Sequence, residues 1–349
     1  MEYKNILLIK MSSLGDILHT LPFAAALRQL YPKAHITWLV HPQFAGFLPD
    51  PPVIDDVIYF DKVKFNKMGL KDKAAYFCQM RRLLHSRKFD LVIDMQGLFK
   101  SAVLAAISGC SNRIGYCEMR EGSGLVSRAI TGAHAKDHVI ERYLDVARYL
   151  GAKVDSLADV HFPLPDLSKE EVAVRAKLKA RGWDGSDYIV MVPGARWETK
   201  EWPLEHYISL ARMLTGDGKY VVLAGGPGDA AKGSAIASGA GKRAIDLTGA
   251  TSLRELAALI KGCIFYISAD TGPLHFAAAL KKPLIAMYGP TKADRTGPYG
   301  SKNSTVLHTP AACAGCLKKH CSDWHCMHDI TPEQVYKIYR EKVAQLQCP

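Results

Sequence analysis

The chain has 349 residues, of which 48% are hydrophobic and 23% charged, a composition that argues against wholesale disorder. Its length exceeds what a single core usually supports and points to two domains of about 150 residues each. A net charge of +11 and a pI of about 9.1 favour an anionic partner (nucleic acid, phosphosugar or acidic membrane surface), with a merely soluble basic surface as the plain alternative. No apolar run reaches the roughly 18 residues that cross a bilayer, and Met1-Glu2-Tyr3-Lys4 leads directly into a strand, so the chain reads as cytoplasmic. Nine cysteines is an odd number, and Cys78, Cys110, Cys117, Cys263 and Cys348 are dispersed, unlike a secreted disulfide framework.

Short β-branched runs alternate with helical patterns. In the first half strands are expected at 5–10, 35–40, 56–60, 90–94 and 112–116, with helices near 16–30, 71–87, 97–108 and 137–151. The segment Ser156 to Leu167, with Pro163 and Pro165, breaks the rhythm and reads as a linker. A helix near 168–181 follows, then strands at 188–193, 219–224, 244–247, 264–268 and 283–288 and helices at 203–215, 228–238, 252–261 and 272–281. Both halves read as α/β, doubly wound parallel sheets. After Gly300 the rhythm fails, a cysteine-rich stretch follows, and Thr331-Pro332-Glu333 starts a last helix to about 346.

Two strand-to-helix junctions carry the chemistry. In ILLIKMSSLGDILHTLP, Ser12 and Ser13 form a turn and Asp16 opens a helix. A carboxylate at such a mouth could take a proton from an incoming hydroxyl, and equally it could only complement the helix dipole. In FYISADTGPLHFAAALKKPLIAMYGPT, Asp270, Thr271 and Gly272 open another helix, with His275 one turn on. Helix N-termini there offer free N–H groups to an anion. Between them, PGARWETKEWP places Lys200 near a helix start, suited to a phosphate or else a solvated surface lysine, and LAGGPGD places Asp229 after a strand, where it could bond a ribose diol or equally close a plain tight turn. No G-x-G-x-x-G follows the first strand and no Walker A sequence is present, which disfavours dinucleotide cofactors and P-loop hydrolysis. The run CAGCLKKHCSDWHC holds Cys313, Cys316, Cys321 and Cys326. It fits a tetrahedral zinc site, although its C-x₄-C half is looser than usual, or equally a structural thiol cluster outside the chemistry.

KMSSLGDILHTLP, PGARWETKEWP and SADTGPLHFAAALKKPLIAMYGPT together resemble the lipopolysaccharide heptosyltransferases of glycosyltransferase family 9, over the whole chain. That resemblance implies a GT-B architecture: two Rossmann-like domains facing across a cleft, with the C-terminal helix crossing back to the first. The expected acceptor-binding domain is 1–160 plus helix 331–349, and the expected nucleotide-sugar domain is 161–330 with the cysteine-rich segment 313–326. It implies transfer of L-glycero-D-manno-heptose from ADP-heptose to the Kdo and inner core of lipopolysaccharide, with inversion. Asp16 then matches the proposed general base, Lys200 the diphosphate lysine, Asp270, Thr271, Gly272 and His275 the donor motif, and Asp229 the acidic ribose contact. MSSLGDILHTLP resembles the first heptosyltransferases, which act on Kdo, whereas the cysteine tail is more like second heptosyltransferases.

On this reading Ser12 and Ser13 lie beside the acceptor, and Arg113, Arg120 and Arg128 are candidate acceptor contacts from their closeness in sequence. No metal cofactor is required; Mg²⁺ on the donor diphosphate is compatible. The acceptor, a Kdo–lipid A or inner-core glycolipid, would bring peripheral contact with the cytoplasmic face of the inner membrane. The rivals are another enzyme on the same fold, such as a nucleotide-sugar epimerase, and a basic nucleic-acid or membrane-surface protein. Nucleic acid is not the expected partner, since Lys and Arg are spread along the chain and no aromatic-basic RNA-binding motif occurs.

Overall fold

Strands buried on both faces must be apolar throughout, and the runs NILLI, YIVMV, FYISA and LIAMY meet that condition, with the last three wholly buried. The computed structural model describes residues 2–347; Cys348 and the end of the expected 331–349 segment lie outside them. The chain divides into two units between Pro165 and Asp166, within the proline-bearing stretch read as a linker.

In the first unit β1 (Asn5–Ile9), β2 (His35–Val40), β3 (Asp56–Tyr59), β4 (Leu91–Asp94), β5 (Arg113–Tyr116) and β6 (Arg128–Ile130) form one sheet in the order β3-β2-β1-β4-β5-β6. All its pairings are parallel. Helices α1 (Leu14–Leu30), α2 (Lys62–Lys67), α3 (Leu70–Ser86), α4 (Phe99–Ile107) and α5 (Val139–Leu150) connect or follow the strands. Ile9 pairs with Asp94, so the loops leaving β1 and β4 emerge side by side.

The second unit opens with α6 (Ser168–Lys179) and repeats the scheme with β7 (Tyr188–Val192), β8 (Tyr220–Leu223), β9 (Ala244–Asp246), β10 (Phe265–Ala269), β11 (Leu284–Tyr288) and β12 (Ser304–His308). Their order is β12-β11-β10-β7-β8-β9, again parallel. Helices α7 (Leu204–Gly216), α8 (Ala230–Ala240), α9 (Leu253–Gly262), α10 (Gly272–Ala279) and the short α11 (Ala293–Thr296) intervene.

Each sheet has one strand more than expected. β6 is only three residues long, and β12 is a half-exposed edge strand without a continuous apolar run. The last helix, α12 (Pro332–Gln347), starts as the sequence indicates: Thr331 Oγ1 accepts from Gln334 N at 3.3 Å and Gln334 Oε1 accepts from Thr331 N at 3.0 Å, a reciprocal cap. Its described contacts correct the expectation that it belongs with the first half. Val335 and Tyr339 are buried in the second core with Trp202, Tyr207 and Leu210. The Tyr339 ring stands edge-on to Phe265 at 5.1 Å, and Trp202 Nε1 donates to Ile330 O at 2.7 Å. Among the described residues no helix is long and apolar enough to cross a membrane.

Candidate active site

Where strand order reverses in an open parallel sheet, neighbouring helices lie on opposite faces and leave a crevice beyond the carboxyl ends. In the first unit that point lies between β1 and β4. Asp94 is fully buried; its Oδ1 accepts from the backbone of Gln96 and Gly97, each at 2.9 Å, and its Oδ2 from Ser101 Oγ at 2.9 Å. Burial pushes this carboxyl above the usual range, against those bonds. Gln96 Oε1 in turn accepts from Met11 N at 3.0 Å and Ser12 N at 3.2 Å, so the β4 loop holds the β1 loop in place.

Ser13 is the extended residue before α1, and both its N–H and its hydroxyl donate to Asp16 Oδ2, at 2.8 and 2.7 Å. The half-buried Asp16 therefore caps its own helix, and the same bonds fix the direction of its carboxylate. The first residue past β1, Lys10, is buried, donating to Met95 O and Tyr143 Oη at 2.7 Å each. Burial lowers its pKa, while Asp16 and Asp94 pull it upward. Lys10, Asp94 and Gln96 were not singled out from the sequence. The signal available was a lysine inside the otherwise apolar ILLIKM and an Asp-Met-Gln-Gly run closing a strand.

The three arginines do not converge. Arg113 and Arg128 begin their parallel strands, pairing with Val92 and Ile114, so both sit at the amino end of the sheet. Arg113 is held by the carbonyls of Val126 and Cys110, and Arg128 lies 5.0 Å over the ring of Tyr149. Only Arg120, exposed in the loop after β5 and donating its N–H to Gly97 O at 2.8 Å, is at the carboxyl-end side.

In the second unit the reversal falls between β10 and β7, whose register pairs Ser268 with Val192. Asp270, two residues past that pair, is buried, and its Oδ2 accepts from Lys200 Nζ at 2.7 Å and from Thr291 Oγ1 at 2.7 Å. One oxygen thus ties together the loops after β7, β10 and β11. The pair is shielded, with side-chain exposures of 17% for Lys200 and 7% for Asp270. Breaking a buried pair of this kind typically costs about 3–5 kcal/mol, against about 0–1 for an exposed one. Thr271 caps α10 through its backbone in extended conformation and makes no side-chain capping bond. Thr271 and Gly272 are half-buried and head the helix, Pro273 has no N–H, and His275 is buried within the first turn.

Asp229 Oδ2 accepts from Gly226 N at 2.9 Å. A Cβ on Gly194 would lie 2.0 Å from Asp229 Oδ1, and one on Gly225 2.8 Å from Oδ2, so this carboxylate rests on two glycines at the mouths of β7 and β8. The structure therefore gathers Lys200, Asp270, Thr271 and Gly272 at one mouth and sets Asp229 over the adjoining loops.

Cys313, Cys316 and Cys321 are exposed thiols and Cys326 is buried. Burial, then the neighbouring thiols of Cys313, Cys316 and Cys321, push Cys326 upward. Among the described residues no three His, Cys, Asp or Glu side chains are grouped so as to hold a metal ion.

The family model for glycosyltransferase family 9 (heptosyltransferase) matches residues 77–326. Lipopolysaccharide heptosyltransferase 1 of Pseudomonas aeruginosa is 31% identical over 91% of this chain and 87% of its own length. Among solved structures, Escherichia coli ADP-heptose lipopolysaccharide heptosyltransferase II is similar with a TM-score of 0.78 and 25% identity, covering 100% of both chains. The Escherichia coli heptosyltransferase WaaC solved with ADP is similar with a TM-score of 0.76 and 26% identity, covering 97% of this chain and 99% of its own. The chain belongs to glycosyltransferase family 9, and its paired doubly wound sheets are those of GT-B enzymes.

Gly194→Ala is expected to expel the Asp229 carboxylate and weaken ADP binding by about tenfold, the loss of one charged hydrogen bond. Isothermal titration with ADP measures it; unchanged affinity would show that Asp229 has no part in holding the nucleotide.

Proposed function

We propose that this protein transfers L-glycero-D-manno-heptose from ADP-heptose to the inner core of lipopolysaccharide, with inversion at the anomeric carbon and Kdo as the acceptor sugar. The observation that carries this reading is the Lys200–Asp270–Thr291 knot beside the Thr271–Gly272 helix head. It sets a fixed ammonium beside the N-terminus of a helix, two features that favour a leaving diphosphate. The names of the relatives supply the sugar and the nucleotide.

In the proposed reaction an acceptor hydroxyl oxygen forms the new bond to the anomeric carbon. The carbon–oxygen bond to the diphosphate breaks, its electron pair leaves with ADP, and the hydroxyl proton passes to Asp16. A single displacement inverts the centre. Ser13 orients the Asp16 carboxylate before any substrate arrives, which lowers the reorganisation needed at the moment of reaction. Lys200 and the helix dipole take up charge on the departing ADP, and Mg²⁺ on the diphosphate would add to them. Turnover requires the acceptor held by the first unit to reach the donor held by the second. The MSSLGDILHTLP motif and the Pseudomonas relative favour Kdo; the likeness to heptosyltransferase II keeps a heptose acceptor as the second reading.

The acceptor's lipid anchor accounts for a surface on the first unit. Lys62, Lys64, Lys67 and Lys71 are exposed on α2 and α3 beside Val63 and Leu70, the latter 88% exposed. Lys100 Nζ donates to Asn66 Oδ1 at 3.0 Å, which brings the exposed Phe99 of α4 to the same patch. Burial first, then the nearby Lys62 and Lys73, lower the pKa of Lys100. Basic residues around protruding apolar ones suit peripheral contact with the anionic inner membrane from its cytoplasmic side.

Asp16→Asn should lower kcat by about 10³-fold with ADP affinity unchanged. Transfer assays with one core ending in Kdo and another ending in heptose check both the base and the acceptor; near-normal turnover by the variant would remove Asp16 from the chemistry. The pair Leu70→Ser and Phe99→Ser is expected to reduce co-sedimentation with phosphatidylglycerol vesicles by about tenfold, while transfer to a delipidated core is kept. Full vesicle binding by that variant would reject the membrane surface.

A further inference from the structure

The charges at the donor mouth do not balance a leaving diphosphate. The Asp270 carboxylate offsets the Lys200 ammonium, and the head of α10 contributes only about half a positive charge. A departing nucleoside diphosphate carries more than one negative charge, so a further cation is required, and the cysteine-rich segment brings one.

That segment is fastened across two loops of the mouth. Gly315 N donates to Gly289 O at 2.9 Å and Leu317 N to Pro290 O at 2.7 Å, just past β11. Thr199 Oγ1 donates to Lys318 O at 2.8 Å, and Trp324 Nε1 donates to Thr199 O at 3.1 Å, both at the residue preceding Lys200. Leu317 is held at φ +60°, a left-handed conformation rare for a branched side chain, which persists where the surroundings fix it. Two residues on, Lys319 Nζ lies 5.3 Å from the centroid of the Trp197 ring, and Lys200 Nζ lies 4.6 Å from the same centroid. Both ammonium groups thus lie within cation–π range of one indole, which brings the Lys319 charge to the loop that carries Lys200.

We infer that Lys319 is a second donor-binding cation: with Lys200 it grips the diphosphate of the nucleotide sugar, and the cysteine-rich segment exists in part to hold it there. The inference rests on the donor reading given above and extends it to a segment in which, among the described residues, no three His, Cys, Asp or Glu side chains are grouped to hold a metal ion.

The test compares wild type, Lys319→Met, Lys319→Arg and Lys200→Met by titration with ADP and with adenosine. Lys319→Met should raise the Kd for ADP and the KM for ADP-heptose by about tenfold, leave adenosine binding unchanged, and flatten the salt dependence of ADP binding. Lys319→Arg should restore most of the loss, and unchanged adenosine binding also reports an intact fold. Wild-type ADP affinity in Lys319→Met, with weakened affinity in Lys200→Met, overturns the inference and leaves the donor reading standing. Unweakened ADP binding in both variants overturns the donor reading and this inference with it.

Discussion

A single buried carboxylate oxygen organises the second unit's mouth. Asp270 Oδ2 receives the Lys200 ammonium and the Thr291 hydroxyl, joining segments that leave three adjacent parallel strands. The geometry follows from the fold, because parallel register delivers the carboxyl ends of β7, β10 and β11 to the same edge. The shielding of the pair separates it from surface bridges such as Lys261–Glu171, whose side chains are 48% and 31% exposed and which contribute little. Lys200 is therefore held in place by the fold itself, and under the proposed donor role the ordering cost of its long side chain is met on folding rather than on binding.

The first unit uses the same principle with the opposite charge. Ser13 holds Asp16 at the head of α1, while Asp94 and Gln96 brace the loop that carries it. Capping and acid–base chemistry are often weighed as rival explanations of a helix-start aspartate. Here the cap gives the carboxylate its direction, so the same bonds would serve the proposed proton transfer.

The architecture was legible because parallel strands buried on both faces must be written as apolar runs, and helices between them as amphipathic ones. The strands that escaped, β6 and β12, are edge strands, exposed enough to lack that pattern. The placement of Asp16, Lys200, Asp270 and Thr271 at strand-to-helix junctions was legible because each follows closely on the carboxyl end of an apolar strand. Lys10 and Gln96 were not, since their roles depend on β4 lying next to β1, a pairing separated by some eighty residues and invisible to local pattern. The same blindness misplaced the arginines. Arg113, Arg120 and Arg128 are neighbours in sequence, but the two strand residues among them sit at the amino ends of β5 and β6, away from the mouth. The last helix was assigned by resemblance, whereas Val335 and Tyr339 pack it into the second core.

The central claim is that Asp270 acts on the nucleotide through Lys200, and a double-mutant cycle on ADP affinity tests it most directly. Asp270→Asn is expected to weaken ADP binding when Lys200 is present and to change it little in a Lys200→Met background, a coupling of more than about 1 kcal/mol. Equal losses from Asp270→Asn in both backgrounds would contradict the account.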